Sequence, residues 1–204
     1  MNWLAHVFLS PPAIEYQLGN LLADTTKGRC WPHAHPDICH GMALHQAIDT
    51  FTDAHPEVRE SKRLLASKGA LKGVVLDVLY DHFLSLHWAR YCKIDRERFL
   101  RRFRARALKT CHTFPPDARH VVKRVVASRQ LQSYASMEGV KRAFMRIDNR
   151  LSARLRQKDG MMAYLSLIGY HRDALEAAFL HFFPDLMAHV AAMETNADFT
   201  HWKT

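Results

Sequence analysis

Residues 77–88 place two carboxylates and an imidazole on an otherwise apolar stretch. Asp77 and Asp81 are four residues apart, which puts them one turn apart on the same face of a helix, and His82 follows directly. Neighbouring carboxylates repel each other and destabilise a helix unless a cation or another partner lies between them. This spacing therefore favours a bound metal ion.

A second group of candidate ligands lies nearer the start of the chain. His45 and Asp49 share a face of another helix, and His6 and Asp24 belong to two earlier segments. Taken singly, each is more typical of a hydrogen-bonded structural group than of a ligand. Together they form helical half-sites of imidazole and carboxylate, which suit Mn²⁺, Mg²⁺ or Fe²⁺ better than a thiolate zinc site does. Such a metal would generate a hydroxide and neutralise charge on a phosphoryl group.

The elements that must position these groups are predicted to be helices. The chain has no alternating strand pattern, no long repeat and no low-complexity linker, so we expect an all-α, single-domain helical bundle over residues 1–204. The segment before Pro11 is compatible with a helical turn or a strand. Further helices are expected around 19–24, from an N-cap at Asp37 to Thr52, from Pro56 to about Gly69, around 77–88, from an N-cap at Asp95 past Leu108, from Pro115 to about Tyr134, at 137–157, and at 161–183, where Pro184 ends one helix and starts another toward Met193.

Composition limits the classes of protein that fit. The formal charge of +9 favours an acidic partner, and no apolar run approaches the ~18 residues that a membrane-spanning helix needs. The four cysteines contain no CxxC pair, and residues 1–10 carry no signal-peptide pattern, so a reducing, cytoplasmic setting is expected. Motifs of P-loop, dinucleotide-binding and serine-hydrolase proteins are absent.

The loop at 30–40 carries two cysteines and three histidines. The spacing of Cys30, His33, His35, Cys39 and His40 matches no zinc-finger pattern, since structural zinc sites usually present two well-spaced ligand pairs. A solvated loop is therefore favoured over a bound zinc.

Several long motifs together resemble the acyl carrier protein phosphodiesterase (holo-ACP hydrolase) family. They are spread over the whole chain and are NWLAH at 2–6, GNLLAD at 19–24, HxxIDxxTD at 45–53, PEVRE at 56–60, LDVLYDHFLSLHW at 76–88 and LEAAFLHFFPDLMA at 175–188. The resemblance implies an all-helical, divergent member of the HD-type metal phosphohydrolases. It also implies hydrolysis of the phosphodiester that joins 4'-phosphopantetheine to a serine of holo-acyl carrier protein, with Mn²⁺ or Mg²⁺.

The family motifs supply a set of candidate site residues. HD enzymes are named for an adjacent His-Asp pair, and this chain has only the reverse order, Asp81-His82, so their ligand set cannot be copied. Some of the motif residues are expected to orient ligands rather than to bind metal. The predicted metal ligands are His6, Asp24, Asp77 and Asp81, and the predicted catalytic residues are His45, Asp49 and His82, with His45 or His82 near the leaving serine oxygen. Asp53 and His87 are expected to be structural.

The basic residues cluster in the second half of the chain. Six arginines fall between 96 and 106, and further Lys and Arg residues continue to 156. Because carrier proteins of fatty acid synthesis are acidic, a basic face would speed and orient their docking, and Arg101, Arg102 and Arg146 represent that predicted face. A single surface arginine more often only solvates a helix.

Two alternatives remain. An HD-like phosphohydrolase acting on a nucleotide or small phosphodiester would use the same metal site without needing the basic helices. A helical nucleic-acid-binding protein would explain the charge but not the acidic cluster, and no nucleic-acid-binding motif is present. Neither nucleic acid nor a membrane is therefore expected as a partner, and the oligomeric state is left open.

Overall fold

The computed structural model describes residues 1–66 and 68–203, and these are helices joined by short turns. The helices are α1 (Trp3–Leu9), α2 (Ile14–Thr26), α3 (Pro36–Ala54), α4 (Pro56–Leu65), α5 (Lys72–Leu86), α6 (Trp88–Tyr91), α7 (Arg96–Thr110), α8 (Pro116–Ala127), α9 (Gln130–Ser133), α10 (Met137–Asp148), α11 (Ala153–Asp159), α12 (Leu165–Tyr170) and α13 (Arg172–Met193). No β-strand occurs in these two ranges, which confirms the all-α prediction. Buried apolar side chains form one core cluster from Met1 to Trp202.

Several helix ends are predicted correctly. α4 begins at Pro56, and Asp95 caps α7 by accepting the N–H of Arg98 at 3.0 Å. The predicted N-cap at Asp37 is wrong by two positions, because Pro36 occupies the first turn of α3 and the ring of His35 accepts the N–H of Asp37. α4 also ends earlier than predicted, at Leu65.

The second half of the chain contains more breaks than the sequence indicated. The predicted helix at 115–134 divides at Arg129, whose φ of 48° lies in the left-handed region. The predicted helix at 137–157 divides at 149–152, where Ser152 caps α11 by accepting the N–H of Leu155. The predicted helix from 161 likewise divides, at His171 between α12 and α13.

Pro184 lies inside α13 and does not end it, so that prediction is wrong. A proline removes one backbone hydrogen bond and costs about 3 kcal/mol in a helix interior. Phe182 and Phe183 before it and Leu186 after it are fully buried. Each such side chain contributes about 1.5–3 kcal/mol on burial, so packing of this apolar face outweighs the lost hydrogen bond.

Two glycines set the closest helix pair of the fold, α2 against α3. A methyl group at Gly41 would overlap the carbonyl oxygen of Tyr16 and lie 2.8 Å from the backbone nitrogen of Asn20. One at Gly19 would overlap the backbone of Ile38. Glycine at both crossing positions therefore lets the two backbones touch.

Cys30 and Cys39 form a disulfide that ties the loop after α2 to the first turn of α3. The spacing of the cysteines did not indicate this pairing, and the expectation of a reducing compartment did not anticipate it. Cys92 and Cys111 are buried free thiols. None of the described helices combines the length and apolar character needed to cross a membrane.

Candidate metal centre

Two imidazoles and a carboxylate meet where α1 lies against α3. The rings of His6 and His45 stack with their centroids 3.9 Å apart. Asp49 contacts both, with its Oδ1 at 3.4 Å from Nε2 of His6 and its Oδ2 at 3.2 Å from Nε2 of His45. One ligand atom from each of the three residues lies within 4.8 Å of the others, a spacing that fits a single metal ion.

Two further carboxylates extend this group toward solvent. Asp24, near the end of α2, places Oδ1 3.1 Å from Nε2 of His45. The α-ammonium group of Met1 lies 3.0 Å from Asp49 and 3.2 Å from Asp77, so Asp77 on α5 joins the group through this cation. The structure thus brings together five of the predicted residues: His6, Asp24, His45, Asp49 and Asp77.

Backbone contacts fix the orientation of the imidazoles. Nδ1 of His45 donates to the carbonyl oxygen of Asn20 at 2.8 Å, which leaves Nε2 facing the carboxylates. The Asn20 side chain in turn donates to the carbonyl oxygen of His6 and to the hydroxyl of Ser10. Metal-binding histidines commonly use one ring nitrogen in this way, because a fixed tautomer presents the other nitrogen to the ion. Asn20 was not among the predicted site residues, although it lies in the GNLLAD motif.

The pKa values of the groups in this centre are shifted from their usual values. Burial opposes ionisation of Asp49, yet the imidazoles of His45 and His6 hold its pKa well below the usual range. Burial would lower the pKa of His45, but hydrogen bonds to Asp24 and Asp49 outweigh it and raise that pKa to about 9. The hydrogen bond with His45 also lowers the pKa of Asp24, and burial lowers the pKa of His6. Carboxylates held ionised in this way attract a cation.

Asp81 has a different set of contacts. Its two carboxylate oxygens accept the backbone N–H groups of Leu4 and Ala5 at 2.9 and 3.0 Å, at the N-terminus of α1. Burial raises its pKa to about 7, against the effect of these two donors. Both oxygens therefore serve to hold α1 in place, and a role for Asp81 as a metal ligand stays a prediction.

His82 points away from the group around Asp49. Its Nδ1 donates to the carbonyl oxygen of Tyr134 at 2.7 Å, and its Nε2 is buried without a partner among residues 1–66 and 68–203. Burial lowers its pKa, against the effect of the hydrogen bond to Tyr134. The predicted catalytic role of His82 stays untested. The two residues expected to be structural form ion pairs elsewhere, Asp53 with Lys62 and His87 with Glu176.

A cavity of about 210 Å³ opens beside the centre. Its lining includes the carboxylates Asp24 and Asp77, the arginines Arg146 and Arg150, and Tyr134. Arg146, predicted as a docking residue, thus lines the cavity beside the centre. Arg102 lines a separate cavity with Phe103 and His201, and Arg101 is exposed on the same helix, α7.

The donor atoms fit a hard divalent cation. Two imidazole nitrogens and up to three carboxylates match the mixed N and O ligands that Mn²⁺ accepts, and the carboxylates match Mg²⁺. Among the described residues no thiol belongs to the group, which argues against a thiolate zinc site.

Together these features define the class of protein: an all-helical protein with a buried imidazole and carboxylate centre beside a cavity that carries arginines. The chain matches the family model described as acyl carrier protein phosphodiesterase over residues 1–186, and it belongs to that family. Proteins named acyl carrier protein phosphodiesterase from Salmonella paratyphi A, Salmonella agona and Salmonella dublin are each 31% identical to it over 193 residues, or 94% of this chain and 98% of theirs. No solved structure matches the chain, so the likeness to HD-type enzymes stays a prediction.

Proposed function

We propose that this protein is a metal-dependent phosphodiesterase that removes 4'-phosphopantetheine from the serine of holo-acyl carrier protein, leaving the apo form. The observation that carries the proposal is the convergence of His6, His45 and Asp49, from two family motifs, on one set of ligand atoms within 4.8 Å. The name of the family and of the Salmonella relatives supplies the substrate class.

In this proposal His6, His45 and Asp49 hold Mn²⁺ or Mg²⁺, with Asp24 and Asp77 completing the ligand set from the cavity side. The bound ion would supply an acidified water molecule and charge neutralisation at the phosphoryl group. Asn20 fixes the ring of His45 through the bond to its Nδ1. Asp81 is a positioning residue, because it anchors the first turn of α1 and thereby places His6.

His82 is also a positioning residue in this scheme. Its buried ring holds the carbonyl of Tyr134, whose hydroxyl accepts a hydrogen bond from Asn2 at 2.9 Å at the cavity wall. The Nε2 of His82 is buried, and in this scheme it does not contact the leaving serine oxygen. His45 holds the ion through Nε2 in this scheme and its Nδ1 donates to the carbonyl oxygen of Asn20, so neither of its ring nitrogens protonates that oxygen.

Docking of the carrier protein is assigned to the basic helices. The net charge of +9 and the exposed Arg101 and Arg102 on α7 complement an acidic protein, which would speed encounter. Encounter driven by such charges weakens as salt screens them. KM for the carrier protein should therefore rise with ionic strength while kcat stays nearly constant.

The test incubates purified protein with holo-acyl carrier protein and Mn²⁺ and follows the loss of phosphopantetheine mass from the carrier. His45→Ala should reduce turnover by about a hundredfold or more and lower bound manganese, since removing even a supporting group costs 10- to 100-fold. His87→Ala is the matched control, because His87 pairs with Glu176 away from the centre.

Nucleotides and small phosphodiesters serve as competing substrates in the same assay. Conversion of these alone would favour the phosphohydrolase alternative. Absence of conversion of holo-acyl carrier protein with saturating metal would refute the proposed function.

A further inference from the structure

Arg146 carries a guanidinium group whose partner is missing from the protein itself. The side chain is half-buried on α10 and lines the cavity beside the metal centre. Its Nη2 is buried and has no hydrogen-bond partner within residues 1–66 and 68–203. Asp77 lines the same cavity but is engaged with the ammonium of Met1 at 3.2 Å.

The neighbouring arginine on the same helix behaves differently. Arg142, one turn before Arg146, is half-exposed and lies 3.6 Å from Glu138. An exposed arginine paired in this way is an ordinary surface group. A buried, unpaired guanidinium nitrogen is costly, because it has lost water without gaining an acceptor.

The surroundings of Arg146 make its charge less favourable still. Burial lowers its pKa, and although Tyr134 opposes this effect, Arg142 and Arg150 add repulsion. Arg150, two residues after the end of α10, lines the same cavity. Two arginines therefore line one cavity, and one of them has a buried N–H donor without an acceptor. We expect such a site to bind an anion.

The charged groups that line the cavity favour a phosphoryl group as the anion. A guanidinium presents two N–H groups in a fork that matches two oxygens of a phosphate. The carboxylates Asp24 and Asp77 in the same lining would repel an anion unless a cation lay between, and the candidate metal centre offers ligands for that cation. A phosphoryl group in this cavity would thus have both a cation site and arginine within its surroundings.

We propose that Arg146 binds the non-bridging oxygens of the scissile phosphodiester, with Arg150 at the cavity rim, and that it is not part of the outer docking face. This inference rests on the proposed function. During hydrolysis the oxygen of water bonds to phosphorus, the bond from phosphorus to the serine oxygen breaks, and that oxygen takes up a proton. Arg146 neither gives nor receives a proton in this step; it stabilises charge on the two spectator oxygens.

The test compares Arg146→Met with Arg142→Met. Affinities for inorganic phosphate and for 4'-phosphopantetheine are measured by calorimetry with Mg²⁺ present, and kcat and KM are measured on holo-acyl carrier protein. Arg146→Met should weaken binding of both phosphates by about tenfold to a hundredfold, because hydrogen bonds to charged groups carry that much affinity. Arg142→Met should stay within about twofold of wild type, since exposed pairs contribute little.

Thermal unfolding separates this role from a structural one. A residue that holds the fold together lowers Tm when it is removed, whereas removal of an unpaired buried cation leaves Tm unchanged or raises it. We expect Arg146→Met to have a Tm equal to or above that of wild type, and Arg146→Lys to recover part of the lost phosphate affinity. Unchanged phosphate affinity in Arg146→Met, or a lower Tm with normal affinity, would overturn the inference.

The outcomes also separate the two proposals. If wild type fails to hydrolyse holo-acyl carrier protein yet binds phosphate through Arg146, the proposed function falls and the anion site stands. If wild type hydrolyses the carrier and Arg146→Met does so equally well, the function stands and the anion site falls. If wild type neither hydrolyses the carrier nor binds either phosphate, both fall.

Discussion

Asp81 shows how one carboxylate can support a site without entering it. Its oxygens accept the N–H groups of Leu4 and Ala5, which would otherwise be unpaired donors at the start of α1. Asp81→Ala leaves both donors buried, and each such loss costs about 1–3 kcal/mol. We expect a clear fall in the urea midpoint of unfolding, measured by circular dichroism without added metal.

The matched control for this variant is Asp53→Ala. Asp53 is largely exposed and pairs with Lys62, so its removal should change stability by less than about 1 kcal/mol. A different result would restore Asp81 as a direct ligand: stability close to that of Asp53→Ala, combined with loss of bound manganese.

At the scale of residues, the sequence predicted which side chains lie close together better than it predicted the partner that each one contacts. The four-residue spacing of His45 and Asp49 gave a shared face, and the structure places their side chains 3.2 Å apart. The same spacing did not reveal that Asp77 and Asp81 serve different partners. Which face of α5 meets α1 depends on tertiary packing, and helical periodicity carries no information about it.

At the scale of elements, the close crossing of α2 and α3 determines the centre. α2 carries Asn20 and Asp24, and α3 carries His45 and Asp49. Gly41→Ala would push a methyl group into the backbone of Tyr16 and Asn20, so the helices must separate. We expect destabilisation by about 1–3 kcal/mol, as for other overpacked sites, together with weaker manganese binding by calorimetry.

Gly169→Ala provides the control for that substitution. A methyl group at Gly169, within α12, meets no atom within 4 Å. Alanine should therefore stabilise this helix by up to about 1 kcal/mol through its better helix propensity and leave metal binding unchanged. If Gly41→Ala behaved in the same way, the close crossing would not be what positions the ligands.

The elements also show where local signals are sufficient. Caps and first-turn prolines located the starts of α4 and α7, because those signals act within one turn. The breaks at Arg129 and at 149–152 escaped prediction, since neither contains a glycine or proline. Pro184 was misleading for the opposite reason: burial of the flanking aromatic residues overrides a local helix breaker.

At the scale of the whole molecule, the last described residues return to the first helix. Nε2 of His201 and Nε1 of Trp202 both donate to the carbonyl oxygen of Phe8, at 2.7 and 3.1 Å. The backbone of Lys93 donates to the carbonyl oxygen of His201, which ties the same segment to the turn after α6. α1 carries His6, so these contacts hold in place the helix that contributes to the candidate metal centre. No sequence pattern pairs residues so far apart.

His201 makes the contact between the C-terminal segment and α1 sensitive to pH. Burial lowers its pKa below the usual 6.5, against the hydrogen bond to Phe8 and the charge of Asp198, while Lys93 adds to the lowering. As pH falls through about 6.5, the unfolded chain takes up a proton that folded His201 does not, so the free energy of unfolding decreases. In His201→Gln this contribution is absent and a donor to Phe8 is retained.

The loss of stability between about pH 7.5 and about pH 5.5, measured by urea unfolding, should therefore be smaller in His201→Gln than in wild type. His6 and His82 also have pKa values lowered by burial, so the variant keeps part of the dependence. Exposed His112→Gln should follow the wild-type curve. Parallel curves for His201→Gln and wild type would mean that His201 takes up its proton equally readily in the folded and unfolded chain. The contact between the C-terminal segment and α1 would then be independent of pH in this range.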